Sequence, residues 1–153
     1  MRGKLAKKGS RLEAIRDAHS VEGQASHTYR MEDYLEVIYE LIKEKGYASA
    51  IDISEYLNVS SPSVTKMMQK LDESGHLNYE KYRGIMLTDQ GTIIAKNMHE
   101  RHNLLVEFLK IIGVGDEIAN RDAEGIEHHL HPETLKKLEQ FVKTWKKAKT
   151  HRR

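Results

Sequence analysis

The sequence predicts a mainly α-helical protein with a small β-hairpin wing, in which a winged helix-turn-helix precedes a helical dimerisation domain. Apolar residues recur at helical spacing along most of the chain, a hairpin signal interrupts them after Gly75, and helical spacing then resumes. The order helix, helix, turn, helix, hairpin is that of winged-helix proteins. We expect a basic extension at 1–29, the winged helix at 30–90 and the helical domain at 91–153.

Three helices are expected before the hairpin. The first stops at Gly46 and the second covers about 50–57. The third opens at Ser60 or Ser61, either of which can cap it, and Pro62 suits its first turn because no amide donor is lost there. Its inward-facing residues are expected to be Val64, Met67, Met68 and Leu71.

The wing is expected as two short segments of β-like composition, 77–81 and 85–88, around a tight turn. Three helices follow, over roughly 89–111, over about 116–129, and from near Pro132 onward. The long and the last of these carry more apolar residues than one small domain can cover, and a second copy of the chain is the simplest partner. These residues are Leu104, Leu105, Phe108, Leu109, Ile112, Leu135, Leu138, Phe141, Val142 and Trp145.

Composition limits the kinds of site that the chain can build. It has 153 residues, a formal net charge of +2, no cysteine and 9 histidines. A metal site must therefore use carboxylates and imidazoles, since thiolate sites and disulfides are excluded. No apolar run reaches the ~18 residues of a membrane span, and the basic N-terminus lacks the apolar core of a signal peptide. We expect a cytoplasmic protein whose extension is either a solvated tail or an arm on DNA phosphates.

The N-terminal half of the third helix is the expected DNA-reading element, because this half of a helix-turn-helix enters the major groove. Short hydroxyls can bind phosphates or base edges there, and longer polar side chains reach into the groove. The candidates are Ser60, Ser61, Ser63, Thr65, Lys66 and Gln69, with Lys81 and Arg83 in the wing. The alternatives are that the serines only cap the helix above solvated lysines, or that the winged helix binds proteins.

A string of acids and histidines at 122–129 is the strongest indication of a metal site. On a helix, Glu124, Glu127 and His128 are spaced i, i+3 and i+4 and share one face, where a divalent cation would offset the repulsion between the carboxylates. A solvated helix face is the alternative for any single acid. Together with residues of two other helices, the candidate ligands for one or two ions are Asp33, Glu36, His102, Glu124, Glu127 and His128.

An enzyme is the main rival class, since di-iron oxidases also combine carboxylates and histidines on several helices. Their paired Glu-x-x-His motif is absent from the candidate cluster, which has Glu-x-x-Glu-His, and a winged helix has no use in such an enzyme. We therefore expect no enzymatic activity.

Several strings make the chain recognisable over about residues 30–145. They are Met31-Glu-Asp33-Tyr-Leu-Glu36, Ser61-Pro-Ser-Val-Thr-Lys-Met67, Glu80-Lys-Tyr-Arg-Gly84, Arg101-His102 and Glu124-Gly-Ile-Glu-His-His129. In their order and spacing the chain resembles the diphtheria-toxin-repressor superfamily, most closely its manganese-responsive branch. The resemblance implies a repressor of manganese homeostasis that binds a double-stranded DNA operator as a homodimer.

The resemblance also implies that the six candidate ligands match a two-metal site, taking one or two Mn²⁺ ions per subunit. Carboxylate and imidazole donors suit Mn²⁺, although Zn²⁺ or Co²⁺ can bind more tightly in vitro, and Fe²⁺ stays open as an effector. The alternative function is a winged-helix regulator that responds to Fe²⁺ or to another effector. We expect the metal to tie the DNA-reading domain to the dimerisation helices, and metal binding to weaken as the pH falls through ~6.5.

Replacing Lys66 with alanine tests the DNA-reading element. A lysine in the recognition helix that contacts DNA contributes about 1–3 kcal/mol, so Lys66→Ala should weaken operator binding by that amount without unfolding the protein. The measurement is a DNA-binding titration beside a thermal melt, with Lys96→Ala in the long helix as control. Unchanged affinity would remove Lys66 from the reading surface.

Overall fold

The structure is a computed structural model, and it describes residues 31–80 and 84–152. The described part of helix α1 covers residues 31–45. The further elements are α2 (Ala50–Leu57), α3 (Ser61–Glu73), β1 (Leu77–Glu80), β2 (Gly84–Leu87), α4 (Asp89–Ile111), α5 (Asp116–Ile126) and α6 (Pro132–Thr150). This order confirms the predicted fold class. The N-terminal extension, Lys81 and Arg83 lie outside the described residues, so the expectations for them stay predictions.

The signals at the ends of α1 and α3 act as the sequence predicts. α1 ends at Gly46, which has a φ of +83°, a conformation that glycine adopts without a steric penalty. Ser60 caps α3, because its side-chain oxygen accepts a hydrogen bond from the backbone N–H of Ser63 at 3.4 Å, and Pro62 lies in the first turn. The four apolar residues expected to face inward from α3 are all buried.

The wing is a two-stranded antiparallel hairpin in which Leu77 pairs with Leu87 and Glu80 pairs with Gly84. Leu77 is fully buried, and Ile85 is 7% exposed, so one face of the hairpin packs on the helices. The outward-facing residues of the strands alternate with these, as expected for a hairpin with one solvated face.

One hydrophobic core holds together the helices and strands of the winged helix. It contains Tyr34, Leu35 and Ile38 of α1, Ile53 of α2, the inward face of α3, both strands, and Ala95 of α4. Because Ala95 belongs to this core, the first turns of α4 are packed together with the winged helix, while the rest of α4 contacts α5 and α6. The exact domain boundary stays a prediction.

Helix α5 ends three residues earlier than the sequence predicts, at Ile126 instead of His129. The backbone N–H of Glu127 still bonds to the carbonyl of Ala123 at 2.9 Å, but His129 bonds to Ile126, only three residues back. The chain therefore tightens into a turn, as helix ends commonly do, next to the weak helix former Gly125. Glu127 keeps helical φ and ψ angles of −57° and −30° and lies near Glu124, as the spacing predicts, whereas His128 falls in the turn that follows.

The last helix leaves apolar side chains at the surface of the single chain. Val142 is buried, whereas Phe141 is 44% and Trp145 is 47% exposed. Phe108 of α4 meets Phe141 edge-on, and Phe141 stacks against Trp145. None of the helices in the described part of the chain is both long and apolar enough to cross a membrane.

The contact between the wing and α4 depends on Gly91. A Cβ atom built at this position would lie 1.9 Å from the carbonyl oxygen of His76, which also accepts a hydrogen bond from the N–H of Thr88. Backbone atoms on both sides of the contact leave no flexible side chain to move aside. Only glycine fits there without a shift of the strand or the helix.

Gly91→Ala should therefore lower the free energy of unfolding by about 1–3 kcal/mol, the usual cost of overpacking. The matched control is Gly125→Ala in α5, where an added Cβ meets nothing within 4 Å and a gain in helix propensity is expected. Urea unfolding of the metal-free protein measures both. Equal stability of the two variants would contradict the close contact at Gly91.

Candidate metal centre

His102 of α4 lies between two acidic residues of the α5 end. Its Nδ1 is 3.0 Å from Oε2 of Glu127 and 3.4 Å from Oε1 of Glu124, and its side chain is only 14% exposed. One donor atom from each of these three residues lies within 4.8 Å of the other two. This spacing allows one cation to contact all three, because metal–oxygen and metal–nitrogen bonds in proteins are about 2.0–2.6 Å long.

His128 connects the α5 end to α1. Its Nε2 is 2.7 Å from Oδ1 of Asp33 and 3.6 Å from Oε1 of Glu127, and its Nδ1 is 3.6 Å from Oε2 of Glu32. Asp33 and Glu32 belong to the winged helix, whereas His128 follows α5. The imidazole thus lies at the junction between the two halves of the chain.

The carboxylate of Glu127 is fully buried, an unusual position for an acid. Its Oε2 accepts a hydrogen bond from Nδ1 of His102, but its Oε1 has no hydrogen-bond partner among the described residues. A buried charge is costly unless it is paired or bound to a metal. The open Oε1 beside two imidazoles fits a divalent cation, and the donor set of oxygen and nitrogen suits Mn²⁺.

Glu36 faces the same cluster from α1. It lines a cavity of about 240 Å³ together with Asp33 and Glu124. Burial raises the pKa of Glu36 to about 7, and the negative charges of Glu127 and Glu124 add to the rise. Burial and the charge of Glu127 likewise raise the pKa of Glu124. Negative charge is therefore in excess at this junction.

Both histidines hold protons more tightly than free imidazole does. The hydrogen bond to Glu127 raises the pKa of His102 to about 9, against the opposing effect of burial. Burial acts to lower the pKa of His128, but hydrogen bonds to Asp33 and Glu32 outweigh it and raise the pKa to about 10. The expected pH window near 6.5 for proton competition was therefore too low, because it ignored the carboxylates around each ring.

The structure brings the six predicted ligands to one junction, and their roles as ligands stay predictions. Sequence reasoning missed Glu32, which approaches His128, and three further residues nearby. Asn120 of α5 accepts a hydrogen bond from Nε2 of His102 at 3.1 Å, and one helical turn away His99 lies 2.9 Å from Glu40 of α1. Asn120 precedes Glu124 by four residues and so shares its helix face, but an amide gives no metal signal in a sequence.

The predicted DNA-reading residues of α3 form an exposed row that includes Lys66 and Gln69. Ser60 and Ser63 also serve the helix cap, with their hydroxyl oxygens 2.9 Å apart, and Thr65 donates a hydrogen bond to the carbonyl of Ser61. The capping interpretation of the serines is thus part of their role. These side chains are exposed and therefore accessible to DNA, and their contact with DNA stays a prediction.

The fold and the cluster define a winged-helix protein with a carboxylate–imidazole site at the junction of its two halves. Residues 27–85 match the family model described as iron dependent repressor, N-terminal DNA binding domain. Residues 88–152 match the model described as iron dependent repressor, metal binding and dimerisation domain. The chain belongs to the iron-dependent repressor family, which is the superfamily of the diphtheria toxin repressor.

Within this family the chain groups with regulators named MntR. It is 50% identical over 123 residues to the HTH-type transcriptional regulator MntR of Shouchella clausii, covering 80% of this chain and 86% of that protein. It is 53% identical over 115 residues to the regulator of the same name from Bacillus subtilis, covering 75% and 81%.

Solved structures of similar fold include the manganese regulator SloR, with a TM-score of 0.64 and 31% identity. The structure of ScaR with bound Zn²⁺ also has a TM-score of 0.64, at 32% identity. Each match covers 74% of this chain and 53% of the solved chain, so this chain spans about half the length of those two proteins.

The raised pKa values of the histidines predict proton-coupled metal binding. Because the pKa values of His102 and His128 are about 9 and about 10 and a ligand must be deprotonated, binding of Mn²⁺ at pH 7 should release about two protons from the histidines, with a further contribution from Glu36, whose pKa is about 7. Apparent affinity should then rise up to roughly 100-fold per pH unit between pH 7 and 9, and level off above pH 10.

Isothermal titration in buffers of different ionisation enthalpy counts the protons. Affinity that stays constant from pH 7 to pH 9 would contradict the raised pKa values. His151→Ala, at the C-cap of α6, is the control that should leave the profile unchanged, since the Nδ1 atom of His151 lies 2.8 Å from the carbonyl of Lys147 in the same helix.

Proposed function

We propose that this protein is a metal-dependent DNA-binding repressor of manganese homeostasis that acts in the cytoplasm as a homodimer on double-stranded DNA. One observation carries the proposal: Asp33 of the winged helix contacts His128 of the metal cluster, and His128 in turn lies beside the buried Glu127. A DNA-reading unit and a cation site share these residues. Solved relatives described as the manganese regulator SloR and the manganese-activated repressor ScaR support manganese as the effector.

Glu127 would be common to two groups of metal ligands, because it contacts both histidines. One or two ions per subunit would fit such an arrangement. When bound, a divalent cation supplies the positive charge that the excess of carboxylates lacks. Fe²⁺, Co²⁺ and Zn²⁺ take the same kinds of donor, so selectivity for Mn²⁺ would come from geometry and availability. The proposed ligands are Asp33, Glu36, His102, Glu124, Glu127 and His128.

The chain's own residues account for a weaker junction without metal. The imidazolium groups of His102 and His128 offset part of the negative charge. Burial is the main cause of the raised pKa of Glu36, about 7, and the charges of Glu127 and Glu124 still add to it. Uncompensated repulsion between α1 and the end of α5 favours conformations in which the two halves separate. A bound cation that neutralises these carboxylates would favour the conformation in which the two halves are in contact.

On the DNA side, the exposed N-terminal half of α3 would enter the major groove. Lys66 and Gln69 are long enough to reach base edges, and the hydroxyls of Ser61, Ser63 and Thr65 can bind phosphates. Ser60 would cap the N-terminus of this helix. Lys81 and Arg83 of the wing would bind the phosphates of the DNA backbone. Two such helices must lie about 34 Å apart to occupy successive turns of the groove.

A second copy of the chain would supply that spacing. Phe141 and Trp145 of α6 and Ile112 after α4 remain about half exposed in the single chain, and such residues are costly to leave in water. The family model for residues 88–152 describes a dimerisation domain. A symmetric dimer would bury this surface and present both recognition helices on one side.

The experiment is an operator-binding titration with Mn²⁺, and with a chelator, on the wild type and on Glu124→Ala. Mn²⁺ should raise the DNA affinity of the wild type roughly 5- to 150-fold, the usual range of coupling between two sites. Glu124→Ala should lose this response and remain dimeric by sedimentation, since the Glu124 side chain is 60% exposed and its removal leaves no cavity.

Glu117→Ala is the matched control, because Glu117 is an exposed acid of the same helix outside the cluster. A wild type that binds its operator equally well after complete removal of metal would contradict the proposal. A response to Fe²⁺ without a response to Mn²⁺ would instead favour the iron-responsive alternative.

A further inference from the structure

Asn120 has a defined place beside the metal cluster. Its Nδ2–H donates a hydrogen bond of 2.8 Å to the backbone carbonyl of Asp116, one turn earlier in α5. This bond turns the amide so that Oδ1 points towards His102, whose Nε2 lies 3.1 Å away. The orientation of the amide is thus set by the helix itself.

An amide oxygen can only accept a hydrogen bond, so the nitrogen of His102 that faces it must carry a proton. A neutral ring has one N–H and one lone pair, so a ring that keeps its Nε2–H bond to Asn120 can offer a cation only the lone pair of Nδ1. Nδ1 is the atom that lies 3.0 Å from Glu127 and 3.4 Å from Glu124. The lone pair therefore appears where the carboxylate donors converge.

We propose that Asn120 is a positioning residue that holds Nε2–H of His102 and so directs Nδ1 towards Glu124 and Glu127. Hydrogen bonds of this kind, behind a metal-binding histidine, fix its tautomer and ring orientation, and their loss commonly weakens metal binding 10- to 100-fold. The inference rests on the proposed function for its effect on metal affinity. Its effect on the His102 ring does not depend on metal.

The first readout uses metal-free protein with nitrogen-15-labelled histidine. In the wild type the Nε2–H proton of His102 should give an NMR signal that exchanges slowly with water. In Asn120→Ala this exchange should be roughly tenfold faster, as expected for the loss of one hydrogen bond of ordinary strength. Asn97→Ala, the same substitution at an exposed position of α4, should match the wild type.

The second readout is binding of Mn²⁺, and the ligating nitrogen of His102 in the Zn²⁺-loaded protein by nitrogen-15 chemical shift. Asn120→Ala should bind Mn²⁺ roughly 10- to 100-fold more weakly and show a population ligated through Nε2. Asn120→Asp, which keeps an acceptor at this position, should retain slow exchange and ligation through Nδ1. A purely structural role would instead make the aspartate and alanine variants equally defective.

Wild-type exchange and wild-type Mn²⁺ affinity in Asn120→Ala would overturn the inference while leaving the proposed function intact. Failure of the wild type to bind Mn²⁺ would instead contradict the proposed function. The exchange measurement on metal-free protein still decides the role of Asn120 in that case.

Discussion

The junction between the two halves of this protein depends on pairing the negative charge of the buried Glu127 carboxylate with positively charged groups. Glu127 follows the last turn of α5, where the carbonyl end of the helix already carries partial negative charge and disfavours an acid. Burial adds a desolvation cost that only a partner of opposite charge can offset. His102 from α4 and His128 from the following turn are the near cationic partners, and each reaches a different oxygen of the carboxylate.

The same compensation extends into the DNA-reading half of the chain. His128 also contacts Asp33, and the next two residues, Tyr34 and Leu35, are buried in the core that holds the inward face of α3. Asp33 further lines a surface cavity together with Ser60, Ser63 and Lys66 of the reading element. Three successive contacts therefore connect Glu127 to the recognition helix: Glu127 with His128, His128 with Asp33, and the segment from Asp33 to Leu35 with α3. Packed elements move together, since protein interiors leave little room for independent shifts.

Much of the winged helix could be predicted because its signals are local. The cap at Ser60, the proline that follows and the stop at Gly46 each set a helix end by backbone chemistry alone. The end of α5 could not be placed in this way. The acids and histidines at 124–129 suggest a helix that continues to His129, whereas the chain turns after Glu127, and His128 in this turn contacts Asp33 of α1.

Residue types and helix spacing suggested that charged residues from three helices gather, and the family resemblance added that the six match a two-metal site. Spacing along one helix places Glu124 near Glu127, but it does not show which ring nitrogen of His102 faces them. The pKa values of the histidines depend on carboxylates distant in sequence, so their upward shift had no local signal. Asn120 was also not predicted, because it contacts His102, a residue 18 positions away in the sequence, and an amide is not itself a typical sign of a metal site.

Amide hydrogen exchange of the metal-free and Mn²⁺-loaded protein tests most directly whether charge compensation joins the two halves. Exchange should slow at the amides of α1 and at residues 119–129 when the ion binds, while α6 should change little because it lies outside the junction. An exchange pattern that is the same with and without Mn²⁺ would contradict the account.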